Sequence, residues 1–363
     1  MSSTSTTYKA LVCTTPGTSE VQDLPVPDVS QREGYMLVRT KAVALNPTDW
    51  KSLHDPDGHA VGTKLGCDFA GVVEAVGPGV TKFVKGDRVC GFAFNAKNLE
   101  RGGFGEYIFT PAEPINMKIP DNLSFEEAAT LGVGVTTVGQ GLYQFLELPL
   151  PSKPLAEPIP ILINGGSTAT GILGIQYAKA SNLTVHATAS PHNFDYLRSL
   201  GADHLYDYHT ETDTLAAQIR AATNNSLAYA WDCITTRESM RLAALSLSDK
   251  PGVEGAYGVL TAYDREFVQG LNPNVKKVGL TMGYTAFGEG VKRSVYTWHP
   301  SREDWEFGKM FWELSEKLLA DGTIKPARYE VNRGGERLEG VQKGLDELKS
   351  GKVSGVKLVY TFE

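Results

Sequence analysis

The chain of 363 residues is long enough for two domains, each with its own core. Its composition, with 41% hydrophobic and 21% charged residues, is ordinary for a globular protein, and its net charge of −7 argues against nucleic acid as the main partner. No apolar run approaches the roughly 18 residues that a membrane span needs, and the start, MSSTSTTYKALVC, lacks a secretory signal. We therefore expect a cytoplasmic protein whose first residues form a short disordered tail.

The first third of the chain predicts short strands separated by glycine turns. Strand-like runs occupy Tyr8–Thr14, Tyr35–Leu45 and Gly71–Gly77, and a proline-rich linker is predicted at Leu24–Asp28. Many short strands of this kind are typical of a compact, partly closed β-barrel.

The four cysteines are Cys13, Cys67, Cys90 and Cys233, and none of them forms a C-x-x-C pair. This spacing supports neither a disulfide framework nor a structural zinc cluster. We predict that they are small buried hydrophobic residues.

The middle of the chain contains a dinucleotide-binding pattern. An apolar run, Ile159–Ile163, stops at Gly165-Gly166, a helical pattern follows, and a second apolar run covers Leu183–Ala189. Strand, glycine turn, helix and strand within about 30 residues form the βαβ unit that binds dinucleotides, with the pyrophosphate at the helix N-terminus. The G-x-G-x-x-G motif is not intact, so a plain glycine turn of an α/β sheet remains the alternative.

The end of the second run indicates which dinucleotide is bound. Ser190, His192 and Asn193 stand where an NAD-binding protein carries a carboxylate for the ribose diol. Hydroxyl, amide and imidazole groups can donate hydrogen bonds to a 2′-phosphate, whereas a carboxylate would repel it. The sequence therefore predicts NADPH, although His192 could also be an ordinary surface histidine.

The remaining pattern alternates strands and helices, which predicts a doubly wound parallel sheet. Within the first helix of the unit, Ile172 and Ile175 mark an apolar side, and Gln176 and Lys179 a polar side. Later predicted elements are helices at Phe194–Leu200, Leu215–Ala222, Glu238–Leu247 and Trp305–Leu319, and strands at Leu205–Tyr208, Leu227–Ile234, Val259–Ala262, Val278–Met282 and Lys357–Phe362. The segment Gly283–Pro300 is predicted to be irregular, and it could form the wall of an apolar substrate channel, a dimer contact or a surface loop.

The order of several motifs resembles the medium-chain dehydrogenase/reductase family. These motifs are Asn46-Pro47-Thr48-Asp49, Gly66-Cys67-Asp68-Phe69-Ala70-Gly71, Gly86-Asp87-Arg88-Val89, Gly103-Phe104-Gly105-Glu106-Tyr107 and Phe125-Glu126-Glu127-Ala128-Ala129. The resemblance implies an α/β protein with a GroES-like β-barrel and a Rossmann domain around a cleft. We expect the barrel domain at 1–129 and 299–363 and the Rossmann domain at 130–298.

The chain departs from the zinc-dependent members of that family. They carry a cysteine in the segment that here reads Asn46–Asp49, and His-Glu where this chain has Cys67-Asp68. A lone Cys67 and Asp68 cannot form a three-ligand catalytic zinc site without further partners. The chain thus resembles the zinc-free quinone and enoyl reductases, for which hydride addition to an activated C=C bond fits better than ketone reduction.

A closer resemblance links the chain to the trans-acting enoyl reductases of fungal polyketide synthases. It rests on Leu131–Thr137, Gly165–Thr170, Ser190–Asn193 and Phe287–Gly290, together with Leu148–Pro151. It implies NADPH-dependent reduction of an α,β-unsaturated acyl thioester on the carrier protein of a polyketide synthase or PKS-NRPS. It also implies a monomer, although pairing through the last Rossmann strand stays open.

The same resemblance implies the site residues. Those implied to contact the cofactor are Thr48, Asp49, Trp50, Lys51, Ser167, Thr168, Ala169, Thr170, Ser190, Pro191, His192, Asn193, Tyr208, Leu260, Thr261, Val353 and Ser354. Those implied to contact the substrate are Val133, Gly134, Val135, Thr136, Thr137, Val138, Gly139, Gln140, Thr285, Ala286, Phe287, Gly288 and Glu289.

The same resemblance implies Thr48, through its hydroxyl, and Lys51, through its charge, as the candidate catalytic residues. Lys51 would be a proton donor or an enolate stabiliser, and the alternative is an ordinary surface lysine. The enzyme would position the acceptor and stabilise the enolate that forms. Many related enoyl reductases use a tyrosine as proton donor in this region, and TDWKSLHD contains none. Two alternatives remain open: a free-standing NADPH quinone or enone reductase, and a non-catalytic NADPH-binding protein.

Overall fold

The computed structural model describes residues 6–293 and 296–362. The predicted N-terminal tail lies largely outside the described residues. The chain divides into two compact units, a first unit of residues 1–136, 284–321 and 326–363, and a second unit of residues 137–283 and 322–325. Each unit is described by itself below.

The first unit consists mainly of short strands, as its sequence predicted. The strands are β1 (Thr7–Thr15), β2 (Thr18–Pro25), β3 (Tyr35–Ala44), β4 (Asp68–Val76), β5 (Arg88–Phe92), β6 (Tyr107–Pro111), β7 (Asn116–Lys118), β14 (Val291–Arg293), β15 (Tyr296–Trp298), β16 (Tyr329–Val331) and β17 (Lys357–Thr361). The helices are α1 (Pro47–Leu53), α2 (Phe125–Ala129), α9 (Arg302–Ala320) and α10 (Arg337–Lys349). Helix α3 (Gly132–Val138) begins in the first unit, and the π-helix that follows it, Gly139–Phe145, belongs to the second unit.

Strand β3 is the centre of the first unit's large sheet, whose order is β16-β17-β3-β4-β5-β7, with β6 also paired to β3. One edge of β3 pairs with β4 along most of its length, while the other pairs with β6 at Tyr35–Arg39 and with β17 at 42–44. The predicted linker at Leu24–Asp28 is wrong at its start, because residues up to Pro25 belong to β2 and pair with β1. Side chains of β1, β3, β4, α10 and β17 share one core, which confirms the barrel-like domain.

The second unit contains a parallel sheet flanked by helices. Its strands are β8 (Pro160–Asn164), β9 (Thr184–Ala189), β10 (His204–Asp207), β11 (Tyr229–Asp232), β12 (Gly255–Val259) and β13 (Val275–Leu280). Its helices are α4 (Ala169–Ala180), α5 (Phe194–Ser199), α6 (Thr212–Ala222), α7 (Arg237–Ser246) and α8 (Arg265–Leu271). The strand order β10-β9-β8-β11-β12-β13 is the doubly wound order of a Rossmann fold.

Helix α4 corrects the sequence prediction on one side chain. Gln176 was predicted on a polar side, but it is buried because its amide pairs with the backbone of Lys325, donating to the carbonyl at 3.0 Å and accepting from the N–H at 2.8 Å. Ile172 and Ile175 are buried as predicted. The helix is therefore buried along most of its length.

The boundaries between the units differ from the predicted domain ends at 129 and 298. The first unit extends to residue 136 and takes up the chain again at Tyr284. The reason at the second boundary is aromatic packing, because Tyr284 and Phe287 contact the rings of Phe92 and Phe94 within the first unit. The segment predicted to be irregular contains a 3₁₀ helix, Gly283–Phe287, and the hairpin of β14 and β15.

Candidate active site

Helix α1 carries the predicted catalytic segment. The backbone N–H of Asn46, before the helix, donates to Asp49 Oδ2 at 2.7 Å, and Pro47 occupies the first turn. Asp49 is fully buried, and its Oδ1 has no hydrogen-bond partner among the described residues. Burial raises the pKa of Asp49 to about 7, and the nearby Asp68 carboxyl acts in the same direction.

A buried ion pair lies beside this segment. The ammonium of Lys357 contacts the Asp68 carboxylate and donates to Asn46 Oδ1 at 3.0 Å, and both Lys357 and Asp68 are almost fully buried. Asp68 also accepts the backbone N–H of Val133 at 2.6 Å. A side chain at Gly132 would meet Asp68 Oδ1 at 2.5 Å, so only glycine fits there. Asp68 thus fixes the start of a predicted substrate segment.

This donor set does not fit a catalytic zinc ion. The Asp68 carboxylate is already paired with the ammonium of Lys357, and both side chains are almost fully buried. No group of three potential metal ligands forms around Cys67 and Asp68 within residues 6–293 and 296–362. Tetrahedral zinc sites need three or four protein ligands. The residues around Asp68 therefore do not supply the ligand set that a catalytic zinc ion requires.

Thr48 belongs to a hydrogen-bonded group that the sequence did not reveal. The hydroxyl of Tyr284 lies 3.1 Å from Thr48 Oγ1 and 3.2 Å from Cys67 Sγ. Tyr284 and Cys67 are buried, whereas Thr48 is half-buried. Sequence reasoning missed Tyr284 and Lys357 because they lie more than 200 residues after the segment they contact. The only signal for Lys357 was a charge at the start of an apolar strand.

Lys51 follows Thr48 by one helical turn, and its ammonium lies 5.8 Å from the Trp50 ring centre. The side chain is exposed, yet surrounding protein atoms desolvate the ammonium enough to lower the pKa of Lys51 below its ordinary value. A lysine with a lowered pKa gives up its proton more readily. The catalytic role of Lys51 stays a prediction.

The predicted substrate residues divide between the units. Val133 to Thr136 lie in the first unit, and Thr137 to Gln140 lie in the second. The second predicted stretch, Thr285 to Glu289, lies entirely in the first unit, where Thr285, Ala286 and Phe287 are buried.

Glu289 has a structural role that the sequence did not suggest. Its carboxylate forms ion pairs with Arg101 at 2.8 Å and Lys97 at 3.1 Å. These partners hold the pKa of Glu289 below its ordinary value, although partial burial opposes them. Glu289 is therefore a charged anchor of the segment.

The glycine turn of the second unit fits a dinucleotide. Gly165 has φ of +78°, and a side chain at Gly171 would meet the Gly165 carbonyl oxygen at 2.3 Å, so both positions require glycine. Thr168 caps α4, accepting from Gly171 N–H at 3.0 Å and donating to the Gly165 carbonyl at 2.8 Å. Because its hydroxyl hydrogen is used in this way, a pyrophosphate would be held by the N–H groups of the first turn, where Ala169 and Thr170 lie, and by the half-buried Ser167.

The predicted 2′-phosphate residues follow β9. Ser190 Oγ lies 3.3 Å from the hydroxyl of Tyr208, because the parallel strands β9 and β10 end side by side at Ala189 and Asp207. Tyr208 is 53% exposed, so its ring is available to a ligand. His192 is exposed, and Asn193 is buried.

The last four predicted cofactor residues form two pairs, Leu260-Thr261 and Val353-Ser354. Leu260 follows β12, and its N–H donates to Thr235 Oγ1 at 3.3 Å, while Thr261 is half-buried beside it. Val353 packs against the core of the first unit, and Ser354 is exposed. The two pairs lie in different units.

A buried polar network below the glycine turn was missed by sequence reasoning. Thr188 Oγ1 donates to Asn164 Oδ1 at 2.5 Å and accepts the N–H of Gly165 at 3.0 Å. Asn164 donates to Asp232 at 2.9 Å, and the hydroxyl of Tyr257 donates to the same carboxylate at 2.6 Å. This network joins the carboxyl ends of β8, β9 and β11 and holds the turn in place. A polar residue at the end of each apolar strand was the available signal.

The cysteines are free thiols. Cys13, Cys67 and Cys90 are buried as predicted, and Cys233 is half-buried. No helix in the described part of the chain is long and apolar enough to cross a membrane.

Comparison with known families supports the fold. Residues 32–121 match the alcohol dehydrogenase GroES-like domain, and residues 169–284 match the zinc-binding dehydrogenase domain. Among solved structures, the CurK enoyl reductase has a TM-score of 0.76 at 19% identity, covering 98% of this chain and 99% of that one. The quinone oxidoreductase of Coxiella burnetii has a TM-score of 0.72 at 23% identity, covering 98% and 100%. At these identities the likeness shows the fold alone.

Curated relatives are more similar in sequence. The trans-enoyl reductase ACTTS2 of Alternaria alternata is 44% identical, covering 98% of this chain and 99% of its own. The trans-enoyl reductase resD of Aspergillus sclerotiorum is 42% identical, covering 97% and 99%, and TOXD of Cochliobolus carbonum is 43% identical, covering 84% and 99%. The chain therefore belongs to the trans-enoyl reductases of the medium-chain dehydrogenase/reductase family, oxidoreductases that use a nicotinamide cofactor and act on C=C bonds.

Proposed function

We propose that the protein reduces an α,β-unsaturated acyl thioester carried by the acyl carrier protein of a polyketide synthase or PKS-NRPS, with NADPH as the reductant. The reaction belongs to secondary-metabolite biosynthesis, and the protein acts as a monomer in the cytoplasm. The observation that carries the proposal is the similarity of 42–44% to fungal trans-enoyl reductases along almost the whole chain. The ion pair of Asp68 and Lys357 supports it, because it engages this carboxylate with an ammonium, and reduction of an activated C=C bond needs no Lewis acid.

The first unit supplies the polar groups for the acceptor. When bound, the reduced cofactor supplies a hydride to Cβ of the thioester. Lys51 stabilises the enolate oxygen by its charge, and Thr48 presents a half-buried hydroxyl one turn away on α1. Within this unit, the small side chains of Val133 to Thr136 leave room for an acyl chain, and Thr285 adds a hydroxyl group.

The preference for NADPH rests on the end of β9. Ser190 and Tyr208 present two hydroxyl groups 3.3 Å apart, and His192, two residues after Ser190, is exposed. Residues 190–194, which follow β9, include no carboxylate. Hydrogen-bond donors without a negative charge favour the 2′-phosphate. The N–H groups at the start of α4 bind the pyrophosphate.

One experiment tests the proposed function. Consumption of NADPH and of NADH is followed with an enoyl thioester, a quinone and the carrier-loaded enoyl intermediate. Turnover of the thioester and carrier forms with NADPH supports the proposal. Brisk quinone turnover without thioester turnover would favour a quinone reductase, and binding without turnover would favour a non-catalytic protein.

The role of Lys51 is tested separately. We expect Lys51→Met to lower kcat for the enoyl thioester by about 10-fold to 100-fold, because the charge on the enolate oxygen is lost. Lys153→Met, which removes an exposed lysine in the proline-rich loop, serves as the matched control. Equal turnover of both variants would rule out the role of Lys51.

A further inference from the structure

We propose that Tyr284 is part of a proton relay that supplies the hydroxyl of Thr48, so that the proton added to Cα of the substrate comes through Tyr284. This inference rests on the proposed function and identifies a residue that the predicted site does not include. It is carried by two contacts of the Tyr284 hydroxyl, 3.1 Å to Thr48 Oγ1 and 3.2 Å to Cys67 Sγ. All three residues belong to the first unit.

The ring of Tyr284 is held firmly in place. Its centre lies 5.0 Å from that of Phe92 and 5.0 Å from that of Phe94, and the residue is 5% exposed. Aromatic neighbours on this scale fix a ring without using its hydroxyl. The Tyr284 hydroxyl therefore remains in contact with the Thr48 and Cys67 side chains. Removing this hydroxyl should leave the packing of the ring intact.

The hydrogen atoms of the three groups can all point in one direction. The Cys67 thiol donates to Tyr284, Tyr284 donates to Thr48, and the Thr48 hydroxyl keeps its own hydrogen for the acceptor. In this arrangement the Tyr284 hydroxyl accepts from Cys67 and donates to Thr48. Thr48 is the half-buried member of the chain, so the relay ends at the group that a ligand can reach.

Asp49 lies behind the thiol as a buried acid. Cys67 interacts with the Asp49 carboxyl, and the other groups facing it are the N–H of Asn46, the Asp68 carboxylate and the Lys357 ammonium. Its raised pKa leaves a substantial part of Asp49 protonated near neutral pH. The buried end of the relay therefore holds a proton to give.

The proton balance of the step is complete. After the hydride has been added to Cβ, a C–H bond forms at Cα as the Thr48 O–H bond breaks. Thr48 takes the hydroxyl hydrogen of Tyr284, Tyr284 takes that of the Cys67 thiol, and Cys67 takes the proton of Asp49. Asp49 ends as a carboxylate and regains a proton from solvent water after the product leaves. No electrons move beyond the hydride and the enolate pair.

The test compares the wild-type protein with Tyr284→Phe on an enoyl thioester that bears a methyl group at C2. The wild-type protein should give one configuration at C2 and incorporate one deuterium there in D₂O. Tyr284→Phe should lower kcat about 100-fold, as for a lost general acid, and give both C2 configurations because water then protonates the enolate. Cofactor affinity, measured by fluorescence titration, should stay unchanged.

Two further variants separate the relay from a structural effect. Cys67→Ala should lower kcat less than Tyr284→Phe, because water can reprotonate the phenolate, and Cys67→Ser should recover most of the loss. Tyr360→Phe removes another buried hydroxyl of the same unit, which donates to the Arg333 carbonyl at 3.0 Å, and should keep a single C2 configuration.

The outcomes are distinguishable. Near-wild-type kcat and a single C2 configuration in Tyr284→Phe would overturn the relay while leaving the proposed function intact. Mixed C2 configurations in Tyr360→Phe as well would show a general loss of packing and would also overturn it. If the wild-type protein itself does not reduce the thioester, the proposed function fails, and the relay fails with it.

Discussion

Replacing Asp49 with asparagine should change how the stability of the protein depends on pH. Asp49 is fully buried, and burial raises its pKa from 3.8 to about 7. Between these two values the folded chain keeps a proton that the unfolded chain releases. The free energy of unfolding therefore falls as the pH rises through this window and levels off above pH 7.

The magnitude follows from the two pKa values. Each unit of pKa difference between the folded and the unfolded chain corresponds to about 1.4 kcal/mol. Between pH 5 and pH 8, the raised pKa of Asp49 should therefore lower the free energy of unfolding by about 2–3 kcal/mol. Asparagine keeps an oxygen that can accept the N–H of Asn46 but does not titrate. The free energy of unfolding of Asp49→Asn should therefore lack the pH-dependent contribution of Asp49. Relative to the wild type, the variant should become more stable as the pH rises.

The assay is urea unfolding at pH 5 and pH 8, followed by intrinsic fluorescence. The difference in unfolding free energy between variant and wild type should shift by about 2–3 kcal/mol in favour of the variant at pH 8. Asp346→Asn removes an exposed carboxylate on α10 and controls for the loss of one charge. Parallel pH dependence in Asp49→Asn and the wild type would refute the reasoning.

Three further variants test the fold and the cofactor site. Lys357→Met should lower the free energy of unfolding in urea by about 3–5 kcal/mol, because it leaves the buried Asp68 carboxylate unpaired. Adding Asp68→Asn should recover part of this loss, and an unchanged free energy of unfolding in Lys357→Met would contradict the ion pair. Ser190→Asp should shift the ratio of kcat/KM for NADPH over NADH at least about 10-fold toward NADH, and an unchanged ratio would contradict the placement of the 2′-phosphate. Gly171→Ala should weaken cofactor binding and cost about 1–3 kcal/mol because the added carbon meets a carbonyl oxygen at 2.3 Å, whereas Gly270→Ala, with open space around it, should be neutral.

The candidate site was predictable where its residues are close in sequence. The glycine turn and the polar residues after β9 follow from local backbone and charge requirements, so Gly171 and Ser190 could be picked out from the chain alone. Thr48 was picked out only through the family resemblance. The contacts between distant residues could not. Tyr284 lies 236 residues after Thr48, and no local pattern marks such a pair.

The sequence by itself determined the two-domain α/β class and the dinucleotide unit, because strand and helix periodicity and glycine turns are local properties of the chain. The family followed from the resemblance of its motifs to those of known proteins. The sequence also showed that the metal ligands of the zinc-dependent members are replaced at Cys67 and Asp68. Only the tertiary structure decided which charge pairs with Asp68. Barrel closure pairs β17 with β3 and brings the ammonium of Lys357 to Asp68, because a buried carboxylate must find a partner charge wherever the fold supplies one.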